Sequence, residues 1–180
     1  MSGKILVGTH EGVFVIRFVG DVRVTLTGSF DHYINKMLSD PEFSSVLIDL
    51  NDAVAIDSTS LGGLAKLSLS VQERKRRLPT LVCSSPDILR VLRNMGFDDV
   101  FAIVDEEYVP DHSLAVLPVP HDMSEDEMRT RVIDAHRVLM AMNEANEATF
   151  RDLVKALEAE DEAARARERS PVTPIARRCG

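Results

Sequence analysis

The sequence predicts an α/β fold, a mixed sheet with helices packed on it, followed by a C-terminal helical extension. Three observations carry this reading. β-Branched and aromatic runs alternate with amphipathic stretches through roughly the first hundred residues. A polar segment ending in Pro118 and Pro120 then breaks the pattern, and from His121 to Ser170 there is neither Gly nor Pro. At 180 residues and 44% hydrophobic, the chain can build one full core, burying about 68–70% of its unfolded surface if compact.

The elements follow in order. Lys4-Ile5-Leu6-Val7 and Val13-Phe14-Val15-Ile16-Arg17-Phe18-Val19, separated by a stretch bounded by Gly8 and Gly12, predict an antiparallel hairpin. Residues 20–28 alternate at Val22, Val24 and Leu26 and are expected as a loop or short strand. Tyr33, Ile34, Met37 and Leu38 lie at helical spacing, which predicts a first helix over 31–38 that Asp40-Pro41 stops. Val46-Leu47-Ile48-Asp49-Leu50 is the central strand. Leu61, Leu64, Ala65, Leu67 and Leu69 open a second helix reaching 77, where Glu73-Arg74-Lys75-Arg76-Arg77 places cations at the favourable end of the helix dipole. That basic run reads as a solvated helix end. Leu81-Val82-Cys83 is the next strand, and Pro86 suits the first position of a third helix. Its buried stripe is Ile88, Leu89, Val91, Leu92 and Met95, and Gly96 is a ready C-cap. Phe101-Ala102-Ile103-Val104 closes the regular part.

Beyond it, Ser124 with Glu127 is a capping-box signature. The Ala-, Glu-, Arg- and Leu-rich stretch that follows predicts one long helix or a helical hairpin. Val132, Ala135, Leu139, Met142, Asn146, Phe150, Leu153 and Leu157 trace an apolar seam with Asn146 in its middle. A continuous helix over 124–168 would be about 65 Å long, more than a compact core can cover. The excess must meet another chain, fold back near 143–146, or fray. Leu139, Met142, Phe150 and Leu153 are therefore the expected helical interface, for a homodimer or a second partner.

The richest stretch is Asp57-Ser58-Thr59-Ser60-Leu61-Gly62-Gly63, three hydroxyls between a strand and a helix start. Asp57 or Ser58 is the expected N-cap, and Gly62 and Gly63 would allow a partner backbone or nucleotide to come close, or the helix to pack tightly on the sheet. On residue pattern alone Ser58 is an N-cap hydroxyl. The run Asp57 to Gly62, following Val46 to Leu50 and preceding Leu81-Val82-Cys83 and Val91-Leu92-Arg93-Asn94-Met95-Gly96-Phe97, resembles the STAS domain of bacterial anti-sigma factor antagonists; Ser60 stands where that family often has Gly. The resemblance implies a STAS domain over 1–108 and a phospho-switch that is not an enzyme. Composition adds a linker over 109–123, a helical extension over 124–168 and a disordered tail over 169–180, and the lack of an apolar span or secretory signal leads to the expectation of a cytoplasmic protein. Ser58 would be the phosphorylation site, with Thr59 as fallback acceptor, and Asp57, Ser58, Thr59, Ser60, Leu61 and Gly62 would form the partner-binding surface. The implied partners are an anti-sigma factor that is itself a serine kinase, and a serine phosphatase. The alternative is a scaffold or adaptor that acts through its C-terminal helix, independent of phosphorylation.

Other classes find little support. A net charge of −8 argues against a nucleic-acid partner, whose binding rests on cationic contacts. No apolar run reaches the ~20 residues of a membrane span, and no secretory signal precedes the first strand, so no membrane partner is expected. Cys83 and Cys179 show neither disulfide-framework nor zinc spacing and read as reduced thiols. His10, His32, His112, His121 and His136 are scattered and read as surface or core residues, so no metal is expected. There is no Gly-x-Ser-x-Gly elbow and no Gly-Lys-Ser/Thr phosphate loop; neither catalytic residues nor a cofactor are expected. A receiver phosphorylated at Asp49 would need an acidic pair after the first strand, where this chain has Thr9-His10, and a Lys after the last strand, where it has Asp105-Glu106.

Overall fold

The structure, a computed structural model, describes residues 3–106, 113–118 and 123–169. Most of the predicted tail over 169–180, with Cys179, lies outside the described residues, as do His112 and His121. Seven strands among the described residues form one mixed sheet with helices packed against it, the predicted α/β class.

β1 (Lys4–His10) and β2 (Val13–Val22) pair antiparallel from Lys4↔Val19 to His10↔Val13. The strands run further than their apolar cores suggest, so the connection shrinks to Glu11 and Gly12. Both have positive φ, 47° and 77°, as a two-residue turn matched to the strand twist requires. β2 then serves two neighbours. Its first half pairs parallel with β3 (Ser45–Asp49), and beyond an irregularity at Gly20/Asp21 its end pairs parallel with β4 (Ala53–Ile56). The segment expected as loop or short strand over 20–28 is thus the end of β2, a 3-10 turn at Val24–Leu26, and the start of α1 (Thr27–Leu38). β5 (Thr80–Val82) and β6 (Ala102–Val104) extend the sheet in parallel on one side, and β7 (Ala115–Val116) adds antiparallel to β1 on the other. The order is β6-β5-β3-β2-β1-β7, with β4 beside the end of β2.

The core lies between this sheet, α1, α2 (Ser58–Lys75) and α3 (Pro86–Asn94). Ile5, Ile16, Ile48 and Leu81 from strands meet Phe30 and Met37 of α1, Leu61, Leu64 and Leu67 of α2, and Leu92 of α3. Leu69, expected on the α2 stripe, is 41% exposed, because the buried positions continue through Ser68 and Val71 and residue 69 falls between them. α3 keeps its predicted punctuation: Ser85 caps it, Pro86 opens it, and Gly96 follows the C-cap Met95 in a left-handed conformation at φ 80°. The basic run does more than sit in water. Arg74 donates to the Leu38 carbonyl and Arg77 to the Ser44 carbonyl, each at 2.6 Å, and Lys75 lies over the Phe43 ring. These contacts tie the end of α2 to the end of α1.

The extension is a hairpin rather than one rod. α4 (Glu125–Met142) begins with the predicted capping box between Ser124 and Glu127 and ends at Asn143, whose backbone is extended. α5 (Glu144–Arg169) begins immediately, with the Asn143 Oδ1 accepting the Asn146 N–H at 2.8 Å. Asn146, fully buried, donates its amide to the carbonyls of Met95 and Leu139, each at 3.0 Å, and Asn143 also reaches Met95. The polar residue in the middle of the seam therefore fastens the elbow to the end of α3. Arg137 binds Glu158 at 2.6 Å across the two arms. The break shifts the helical phase, so after it the buried face is Asn146, Phe150 and Val154. Leu139 and Phe150 are buried within their own chain, Met142 is half-buried, and Leu153 stands 43% exposed.

Candidate functional site

Asp57 is the N-cap of α2. One carboxylate oxygen accepts the Ser60 N–H at 2.7 Å and the other accepts the Val24 N–H at 2.8 Å. The same residue thus ends a strand, starts a helix and holds the 3-10 turn that precedes α1. Because Asp57 takes the capping role, Ser58 is the first helical residue, and its hydroxyl is left for another partner. That partner is distant in sequence: Ser58 Oγ lies 2.8 Å from Nε2 of His136 on α4.

The geometry fixes one of the ring protons. His136 Nδ1 is 2.7 Å from the Val132 carbonyl, which can only accept, so Nδ1 donates there and Nε2 is the nitrogen that faces the Ser58 hydroxyl. The imidazole is 2% exposed and meets the Phe150 ring edge-on at 4.8 Å. One turn along α2, Gly62 accommodates the backbone of α4: a Cβ there would lie 2.4 Å from the Ala135 carbonyl oxygen and 2.6 Å from the Ala135 Cβ. The close backbone approach expected at the glycines is therefore real at Gly62, and the approaching chain is the protein's own extension. At Gly63 a Cβ would make only ordinary contact with Phe30. Arg131 of α4 pairs with Asp31 of α1 at the rim.

The residues expected to meet a partner are unequally placed. Asp57 and Ser58 are half-buried, whereas Thr59, Ser60, Leu61 and Gly62 are buried. Among the described residues Ser60 Oγ is buried with no hydrogen-bond partner. His136 and Ala135 are the functional-site residues that reading along the chain missed. The available signal was the spacing of Val132, Ala135, His136 and Leu139, which puts the histidine on the same face as the seam.

Residues 4–108 match the STAS domain. The chain belongs to the STAS domain family. Among solved structures, the chain is similar to an anti-sigma factor antagonist from Mycobacterium paratuberculosis, at 23% identity and a TM-score of 0.46 over 57% of this chain and 85% of that one. No curated protein matches the sequence. The STAS match ends before the hairpin, so Ser58 belongs to the family domain and His136 to the extension that covers it.

Asp49 is fully buried and takes a 2.7 Å hydrogen bond from Arg17, which leaves it no open face of the kind a receiver aspartate needs. Burial pushes the Cys83 thiol up from its ordinary value, and the Tyr33 phenol likewise. Among the described residues no cluster of His, Cys, Asp and Glu could hold a metal ion, and no helix is long and apolar enough to cross a membrane.

Proposed function

We propose that this STAS protein is an anti-sigma factor antagonist, a non-enzymatic cytoplasmic switch in which the phosphorylation state of Ser58 sets binding to an anti-sigma factor or similar kinase partner, with a serine phosphatase resetting it. The observation that supports this most directly is the division of labour at the head of α2. Asp57 caps the helix, so the Ser58 hydroxyl is spared structural duty to the backbone while standing at the positive end of an 18-residue helix. Phosphorylation there adds roughly −1.5 to −2 charges. Two unit charges about 5 Å apart at an effective dielectric of about 20 interact by about 3 kcal/mol, and every 1.4 kcal/mol is tenfold in affinity. One phosphate placed against a partner carboxylate can thus weaken binding about a hundredfold.

The test is an affinity pull-down from the source cells with Ser58→Ala and Ser58→Asp, read by mass spectrometry. Ser58→Ala retains a kinase-like partner and Ser58→Asp loses it. Equal capture by both variants defeats this reading and favours a scaffold that works through its helical extension.

A further inference from the structure

We propose that the α4–α5 hairpin is a lid on the head of α2: the closed hairpin excludes both a phosphate on Ser58 and a partner seated over it. The biological use of the lid rests on the reading of Ser58 as the phosphoacceptor.

The first ground is the proton in the latch. Phosphoryl transfer forms an Oγ–P bond and breaks the terminal P–O bond of a nucleoside triphosphate; the nucleoside diphosphate leaves, and the Ser58 proton passes to a base of the kinase. Ser58 Oγ then has no proton for the 2.8 Å bond to His136 Nε2, and that latch is lost unless the ring itself supplies one.

The second ground is space. His136 is held between the Phe150 ring and α2 at 2% exposure, so it cannot swing aside while the hairpin stays closed. Next to it the α2 and α4 backbones are already in direct contact at Gly62 and Ala135. A kinase must reach Oγ with its nucleotide, and a partner reading Ser58 must touch the first two turns of α2. Both need the ground that Ala135 and His136 occupy.

The third ground is how the hairpin is fastened. Around Ser58 the fastenings are one hydrogen bond, the glycine contact, the burial of Ile133 and Ala135 and the Arg131–Asp31 ion pair at the rim, while Leu139, nearer the elbow, joins the core. The stronger anchor, Asn143 and Asn146 on the Met95 carbonyl, sits at the elbow away from the phosphosite. The start of α4 can lift while the elbow holds. A partner that binds only the open form has its affinity lowered by the fraction that is open, so the lid sets a threshold in addition to the phosphate.

The test uses the full chain with phosphoserine incorporated at position 58 and follows amide hydrogen exchange by mass spectrometry against the unmodified chain. The lid predicts exchange in α4 faster by roughly tenfold or more, with the protection of β2, β3 and α3 unchanged. Equal or greater protection of α4 in the phosphorylated chain overturns it. If phosphoserine loosens the sheet as well, Gly62→Val in the unmodified chain decides: α4 opening over an intact sheet supports the lid, and α4 opening no faster than the sheet overturns it. Ser58 never phosphorylated in cells would remove the proposed function while leaving this exclusion standing. An unmoved hairpin beside a natively phosphorylated Ser58 would do the reverse.

Discussion

The two faces of α2 are built on different principles. Toward the sheet it presents Leu61, Leu64 and Leu67, all at 1% exposure or less, against Ile16, Ile48 and Phe30. Toward α4 it presents Gly62 and the hydroxyl of Ser58, met by Ala135 and His136. Large interlocking side chains gain from hydrophobic burial and from dispersion, and separating them costs both. Beside Ser58 a glycine contact and one hydrogen bond give fit without much adhesion, since a typical hydrogen bond contributes only about 0.5–1.5 kcal/mol net, while Leu139 and Phe150 join the hairpin to the core further along. The same helix is thus locked on one side and detachable on the other, and the serine sits on the detachable side.

The most severe way to break this contrast is in the sheet. Ile48→Ala removes a fully buried side chain and should cost about 2–5 kcal/mol. A urea titration should show sheet and hairpin lost together, because the hairpin has nothing to close on once α2 goes. Next comes the elbow. Asn146→Ala removes two amide hydrogen bonds, taking the side-chain donor from the Leu139 carbonyl and leaving the Met95 carbonyl to Asn143 alone, at about 1–3 kcal/mol. Hydrogen exchange should place that loss in α4 and α5 with the sheet unchanged; a uniform loss would mean the two faces are not separable.

A change at Ser60 should run the other way. Its buried hydroxyl has no hydrogen-bond partner among the described residues, so Ser60→Ala should raise the melting midpoint by a gain of about 1 kcal/mol. The smallest effect is at the start of α4. The Ser124 N–H and hydroxyl hold the Glu127 carboxylate below its ordinary value. The folded state therefore gives up this proton at lower pH than the unfolded chain does. The cap contributes in full above the ordinary carboxylate range, about 4.3 for Glu, and is lost as pH falls through the lowered value. Acidification through that window should speed exchange in the first turn of α4, and Glu127→Gln should flatten the dependence.

The sheet side of this contrast was largely legible in the sequence, because its signals are local. The β-branched and aromatic run from Val13 to Val19 fixed β2, the Pro86 start and Gly96 stop fixed α3, and Asp57 before an apolar stripe fixed the head of α2. β4 escaped because four residues with Val54 at 77% exposure carry too little alternation to read. The hairpin side was legible only in part. The Ser124–Glu127 box and the seam through Leu139 and Phe150 were visible, but the turn at Asn143 shifts the phase and brings Val154 to the inside in place of Leu153. The bond between Ser58 and His136 spans 78 residues. No local pattern could announce it, since it exists only once α4 lies along α2.

The most direct test of the account is the state of Ser58 itself in protein isolated from its own cells under several growth conditions, read by peptide mass spectrometry. The account predicts a phosphate on Ser58 whose occupancy changes with conditions. A Ser58 peptide that is unmodified under every condition would contradict it.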